Sequence, residues 1–551
     1  MNQTPHVREC DTLIIGASMA GGCLARQLKL AHPDMDIVVL DKKHRFDHWV
    51  GESTLESFWD YAARHLELGH YLDTKHVYKH GLRFFYDSPE HDLPIDQMSE
   101  VGRSWFHSTP AHQLDRVRFD NDLLAMNRAS GVDVRMGVAV REVEIDRDNG
   151  HRITASDGVT YRCRWVVDAA GFAAPVGRAL GLIESNDDDH PISSYWGRFK
   201  NVADMDLLGD KDWRARTSYV TRSLATTHFM YGGYWIWMIP IDADTYSIGV
   251  TTKNDMVDIE IKSQEEFVAF LRTHRCMQQL LGEAELLDYR QMKRLSRRAK
   301  RFFSEDGWFL TGMSAAFLDP ILSPGSAWLA DANRMIGELI ATDRAGDEQA
   351  FRTQVKAFNI YADFWLDNFF LHIKGQYHDC YDRQRVYFEQ LLMQWFGIIL
   401  PNSMIENWGY TPGMTDEDIA TLEARTKMMM ENNSIAKIDH LIEEFHDFLK
   451  ARGVEHDNNR GQFFDIEIGE ANMHNTRTRG RDLCPEGIMK IENEMIFVTI
   501  RHALRRMAEI EGLRCDQPQL DQVSRVATDD HLTLTQALGL LATSPSQALV
   551  A

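Results

Sequence analysis

Residues 11–42 read DTLIIGASMAGGCLARQLKLAHPDMDIVVLDK, and the chemistry they offer is the binding of phosphate and ribose. Gly16, Ala17, Ser18, Ala20 and Gly21 make a tight turn between an apolar run and a helix-forming one. Gly16 permits the turn, and Gly21 lets helix and strand pack closely. The N–H groups that open the helix are free to meet a pyrophosphate. Asp41, twenty residues beyond Gly21 and followed by Lys42, can accept hydrogen bonds from a ribose. Ser18 stands where the GxGxxG fingerprint has its middle glycine. Asp168, just ahead of Gly171, and the pair Gly312–Met313 close two further apolar runs. Arg116 and Arg118 open a helical stretch, and an arginine there can reach the phosphates of a bound cofactor; Arg118 is the expected contact. Metal chemistry has less behind it. His440, Glu443 and His446 share a helix face, but a di-metal bundle needs two Glu-x-x-His helices. His76 and His80 lack the glutamate of HExxH and read as neighbours that tune the charge of Lys79. No metal site is expected.

These residues need elements to hold them. Thr12–Ile15 reads as a strand, Gly21–Leu30 as a helix and Asp36–Leu40 as a second strand, a βαβ unit. Arg141–Glu144 and Arg152–Ser156 flank Asp148-Asn-Gly150, a hairpin signal. Val166–Asp168 is a strand running into Gly171, and residues 308–312 are another running into Gly312. Three strand-to-glycine junctions suit an FAD-binding fold, in which a long cofactor touches several strand ends. The string GYWIWMIPI, residues 233–241, alternates large apolar residues as a half-buried strand does, but with unusual bulk. Beyond residue 345 the apolar spacing turns helical, over Gln349–Asp363, Tyr387–Phe396, Glu417–Met430, Ile435–Leu449 and Asn493–Ile510.

The chain has 551 residues with 44% hydrophobic and 26% charged content, enough for a substantial core. Its formal charge of −22 argues against nucleic acid as a partner. No apolar run reaches the length of about 18 residues that spanning a membrane needs. The first residues do not read as a signal peptide, and the seven cysteines are scattered without CxxC. A cytoplasmic protein with reduced thiols is expected.

Together these motifs resemble the FAD-binding monooxygenase fold of the para-hydroxybenzoate hydroxylase type and, within it, the flavin-dependent halogenases. The resemblance covers roughly residues 8–345. Trp235-Ile-Trp237-Met-Ile-Pro240 matches the family's WxWxIP motif. Phe317-Leu-Asp-Pro320-Ile-Leu-Ser323-Pro324-Gly325 matches FxxPxxSxG. Gly51-Glu52-Ser53-Thr54 resembles a loop that the family keeps near the flavin, and Lys79, between that loop and the apolar strand Gly81–Tyr86, lies where the family keeps its essential lysine.

The resemblance implies an α/β, Rossmann-like FAD-binding core over residues 1–345 and a mainly helical appendage over 346–551 that shapes the substrate pocket. Expected at the cofactor are Gly16, Ala17, Ser18, Ala20, Gly21, Asp41, Lys42, Glu52, Ser53, Arg118, Asp168, Gly171, Gly312 and Met313. Reduced FAD, O2 and chloride or bromide would give hypohalous acid, which passes along a channel to Lys79. Trp235, Trp237 and Pro240, with Phe317, Pro320 and Ser323, would form that channel, the indoles keeping substrate from the flavin. Pro324 and Gly325 mark the halide site; Pro324 has no N–H, so Gly325 and Ser326 are left to donate. Leu322 stands where tryptophan halogenases have a glutamate, so a phenolic or pyrrolic aromatic, free or carrier-tethered, is expected instead. The missing second glycine-rich βαβ unit implies a separate flavin reductase. The competing readings are an aromatic hydroxylase driven by NAD(P)H and a flavin-binding protein without halogenating activity.

Overall fold

Three parallel strands end side by side at the glycine turn. In the computed structural model, which describes residues 6–105, 109–217, 219–393, 411–431, 433–457, 459–466 and 485–543, they are His6–Ile15, Val159–Asp168 and Trp308–Leu310. Ile37–Asp41 and Asp133–Met136 extend the sheet in parallel on one side. His151–Ala155 and Val140–Glu144 extend it antiparallel on the other, as the Asp148-Asn-Gly150 signal predicts. Backbone bonds lock the strand ends together: Ala169 N–H donates to the Ile15 carbonyl at 2.8 Å, and Thr311 N–H to the Asp168 carbonyl at 3.0 Å. Gly16 is required where they meet. Its φ is +106°, and a Cβ there would lie 2.4 Å from the Ala169 carbonyl oxygen.

The second sheet is largely antiparallel and carries the tryptophan strand. Thr226–Tyr231, Tyr234–Pro240 and Thr245–Lys253 lie adjacent, with Ile192–Lys200 beyond and Leu82–Tyr86 and Ser99–Gly102 on the other side. Strand alternation sends Ile236 and Met238 into one apolar core and the Trp235 and Trp237 rings into the other. Gly249 sits opposite Trp237, and a Cβ there would fall 2.2 Å from the indole.

The segment after residue 345 is helical as expected, over Glu348–Lys374, Asp416–Glu431, Ser434–Lys450 and Pro485–Ile510. The predicted helix Tyr387–Phe396 is helical through residue 393, and the remainder lies outside the described residues, as does Cys484. One element departs from the expectation: Phe463–Asp465 pairs in parallel with Ser99–Gly102, so the C-terminal segment adds a strand to the core sheet. Three residues are too short a run to carry a period-2 signal. Among the described residues, no helix is long and apolar enough to cross a membrane.

Gly249→Ala should destabilise the protein by about 1–3 kcal/mol, because its methyl must displace the Trp237 ring. Thermal unfolding reads the loss, and a change in tryptophan fluorescence reads the displacement.

Candidate active site

The strand ends and the tryptophan strand enclose a cavity of about 500 Å³. At one end its wall holds Gly16, Ser18, Ala20, Asp41 and Lys42; Gly171, Gly312 and Met313 follow. At the other end stand Glu52, Ser53, Thr226, His228, Trp235, Trp237, Phe317, Pro320, Ser323, Pro324 and Gly325. A long cavity that starts at a glycine turn above parallel strand ends fits a dinucleotide. Ala17 and Gly21 lie beneath the turn and pack it, rather than lining the space, and Pro240 ends its strand outside the wall.

Two expected cofactor contacts are placed elsewhere. Arg118 is turned outward and donates to the Lys75 carbonyl at 2.7 Å. Its helix, Arg116–Ala129, is capped by Asp115, and residues two apart on a helix face opposite ways. Arg116 therefore faces the cavity, fixed by Asp120 at 2.9 Å, the Val50 carbonyl at 2.9 Å and Ser18 Oγ at 3.0 Å. Asp168 is fully buried behind the wall. Its carboxylate accepts from Ala170 N–H, Val176 N–H and the Ser314 hydroxyl, so it braces the Gly171 turn from within. Asp41 accepts from Ala17 N–H and Lys43 N–H, both at 2.8 Å, and still opens onto the cavity.

The helix Pro324–Arg344 starts in the cavity wall. Leu322 and Ser323 ahead of it are both left-handed, with φ of +65° and +58°. Such a conformation costs a non-glycine residue about 1–2 kcal/mol. Ser323 does not cap its own helix; its hydroxyl donates to Ser53 Oγ at 2.9 Å. Pro324 at the first helical position gives up no useful N–H. The N–H groups of Gly325 and Ser326 thus face the cavity end at the positive pole of a 21-residue helix, and nothing lies within 4 Å of a Cβ built on Gly325.

Lys79 lies one residue behind the wall, 5% exposed. Its Nζ donates to Ser53 Oγ at 2.9 Å and to the Thr54 carbonyl at 2.7 Å. Burial pulls its pKa down to about 8, while Glu56 acts upward and Arg103 downward. His76 and His80 do not tune that charge: burial holds both pKa values down, and each Nδ1 accepts a backbone N–H, from Asp115 and Thr221. Glu52 is fully buried and its carboxyl is pushed up to about 7 by desolvation, against nearby N–H groups, the Ser247 hydroxyl and Arg116.

Sequence reasoning did not find several wall residues. His228 stacks on Phe84 at 4.5 Å, donates from Nδ1 to the Arg83 carbonyl and presents a buried Nε2 without a hydrogen-bond partner. Burial lowers its pKa to about 3. Trp365 and Leu366 reach the cavity from the helix Glu348–Lys374. Trp235 donates to the Tyr377 hydroxyl at 2.9 Å, which donates to Asp319 at 2.7 Å, where His190 also bonds at 2.8 Å. No local motif signals contacts between residues so far apart in the chain. Of the metal decoys, His440 is exposed while His446 is buried and accepts from Arg385, and among the described residues no cluster is arranged to hold a metal.

A family model described as Tryptophan halogenase matches residues 95–390. The flavin-dependent halogenase chlA of Dictyostelium discoideum is 27% identical over 79% of this chain and 77% of its own. The 1H-pyrrole-2-carbonyl-[peptidyl-carrier protein] chlorinase of Pseudomonas fluorescens is 26% identical over 42% of this chain and 51% of its own. The crystal structure of halogenase PltM superposes with a TM-score of 0.59 at 15% identity, covering 91% of this chain and 97% of that one, and shares the fold.

Arg116→Ala should weaken FAD binding at least about tenfold, since it unpairs the buried Asp120 beside the glycine turn, whereas Arg118→Ala should leave it within about twofold; flavin fluorescence titration separates the two. Glu52 supplies a pH test without cofactor. Its folded pKa of about 7 exceeds the ordinary glutamate value of 4.5, so the folded state holds a proton that the unfolded state releases between them. That contribution is complete below the unfolded value and is lost as pH rises through about 7. Glu52→Gln should therefore remove a decline of about 3 kcal/mol between pH 5 and 8, seen by denaturant unfolding of the apoprotein.

Proposed function

The chain belongs to the tryptophan halogenase family of flavin-dependent halogenating enzymes, and on that premise we propose that it halogenates an electron-rich phenolic or pyrrolic ring through Lys79. FAD is the cofactor, with halide and O2 as co-substrates. Bound reduced in the cavity, FAD with O2 and halide supplies hypohalous acid. The single observation that carries the reading is the buried contact of Lys79 Nζ with Ser53, itself bonded to Ser323 of the second motif.

The residues divide the work by position. Gly16, Ser18, Asp41 and Arg116 hold the dinucleotide end. Gly325 and Ser326 offer N–H groups to the halide at the helix N-terminus. Trp235 and Trp237 fill the wall and exclude substrate from the flavin end. Lys79, brought within reach of the neutral form by burial, receives the halogen. Its nitrogen lone pair bonds the halogen of hypohalous acid as the O–X bond breaks. The departing hydroxide takes a proton from the nitrogen and leaves as water. An aromatic carbon then takes the halogen from nitrogen, the ring loses its proton, and the amine is restored. A lysine that only donates a hydrogen bond to hypohalous acid would deliver the same product without the N–X bond.

Leu322 supports a substrate other than tryptophan, because it offers no carboxylate to bind or deprotonate the indole N–H. Phenols and pyrroles activate their own carbons. Trp365 and Leu366 support the helical segment's part in shaping the pocket. A separate flavin reductase fits a chain with a single glycine-rich βαβ unit. The family match does not favour the hydroxylase reading.

Mass spectrometry tests the proposal on phenols, pyrroles and indoles incubated with FAD, a flavin reductase, NADH, O2 and chloride or bromide. A halogen isotope pattern on a phenol or pyrrole is expected, and Lys79→Ala should lose it by a factor of about 10³ or more while still oxidising reduced FAD. A gain of one oxygen, or full halogenation by Lys79→Ala, would overturn it.

A further inference from the structure

Ser53 Oγ has three polar neighbours: Lys79 Nζ at 2.9 Å, Ser323 Oγ at 2.9 Å and Thr226 Oγ1 at 2.6 Å. A hydroxyl has one hydrogen and two lone pairs. Lysine can only donate as an ammonium, and Ser323 donates to Ser53, so both lone pairs are taken. The Ser53 hydrogen must then go to Thr226, which also accepts from Gln113 Nε2 at 2.8 Å. Ser53 has no hydrogen left for Lys79 and acts toward it purely as an acceptor. The Thr54 carbonyl, at 2.7 Å, is an acceptor as well. The seat is rigid. Leu114 N–H donates to the Glu52 carbonyl, Thr54 N–H to the His112 carbonyl and Lys79 N–H to the Ala111 carbonyl, at 2.7, 3.1 and 2.8 Å. Ser53, Lys79, Thr226 and Gln113 are buried, and Ser323 is half-buried.

We propose that Ser53 Oγ and the Thr54 carbonyl form a two-acceptor seat that orients the Lys79 nitrogen, with Ser53 as a positioning residue for halogen transfer. Deeper than the reading above, it rests on the role given there to Lys79. Two of the nitrogen's four tetrahedral directions point at fixed acceptors, and one is the bond to its own chain. The fourth is left for reaction. In the ammonium it carries the third N–H. In the neutral amine the two N–H groups stay on the two acceptors, so the lone pair takes that fourth direction. Without Ser53 the nitrogen can rotate about its Cε–Nζ bond, and the lone pair loses its aim. The ionisable groups around the seat are Glu56, Arg103, His228 and Glu52, the residue before Ser53, and a change from serine to alanine adds or removes no charge among them.

The test is Ser53→Ala, with Ser53→Thr as the variant that keeps the hydroxyl. Halogenated product per reduced FAD oxidised, measured in the same sample, should fall about tenfold in Ser53→Ala. An acceptor stabilises the ammonium more than the amine. Its removal should therefore move the limb of the halogenation pH profile that titrates near the Lys79 value of about 8 to lower pH, by about one pH unit. Ser53→Thr should restore both. Melting temperature verifies that each variant is folded. A folded Ser53→Ala with an unmoved limb, or with an unchanged product-to-oxidation ratio, would overturn the proposal. Halogenation by Lys79→Ala would instead remove the reading of the lysine on which it rests, so the two failures are distinguishable.

Discussion

The Ser323 hydroxyl has two possible partners, and the rest of the site depends on which one it takes. A serine at the start of a helix ordinarily caps that helix by accepting from an N–H group one turn in. Ser323 is held in a left-handed conformation that keeps it from doing so, and its hydroxyl donates to Ser53 instead. Two consequences follow from the one bond. The helix keeps its unpaired N–H groups and its positive end open to the cavity. The loop that carries Ser53 is tied to the helix start, and through Ser53 so is Lys79. An open helix start in the wall and an amine just behind it come together because a cap is withheld. The cost is the strain at Leu322 and Ser323, offset by packing: Leu322 is fully buried.

Burial does the remaining electrostatic work along that wall. Lys79, Glu52 and His228 are all drained of water, and in each the charged form is disfavoured. Near neutral pH the imidazole is uncharged, the Glu52 carboxyl stands close to its midpoint, and Lys79 is still mostly the ammonium with a minor share of free amine. Arg116, by contrast, is paired with Asp120 in the interior at 2.9 Å.

Much of the frame was legible in the sequence because it is local. The Gly16 turn, the Asp148-Asn-Gly150 hairpin and the strand-to-glycine junctions each fall within a few residues, and turn chemistry or alternation reports them directly. The two long motifs were legible as strings, and the structure brings both to one cavity. What the sequence hid depends on direction and on distance along the chain. Arg116 and Arg118 look alike as letters, and only the helix phase set by the Asp115 cap tells which of them faces inward. Asp168 reads as a cofactor ligand at a strand end, but the turn it braces consumes its oxygens. His228 carries no motif at all. Its place follows from sheet order, which sets it beside Phe84 on a strand far away in sequence.

The same distance argument explains why the helical segment belongs to the site rather than beside it. Trp235 needs a partner for its indole N–H, because a buried donor left alone costs about 1–3 kcal/mol. That partner is the Tyr377 hydroxyl, and Tyr377 in turn rests on Asp319 in the second motif. Both motifs are thus joined through a residue that belongs to neither, supplied by the turn that follows the helix Glu348–Lys374. Trp365 and Leu366 on that helix also enter the wall. A change in the helical segment therefore alters the shape of the chamber and the setting of Trp235 together.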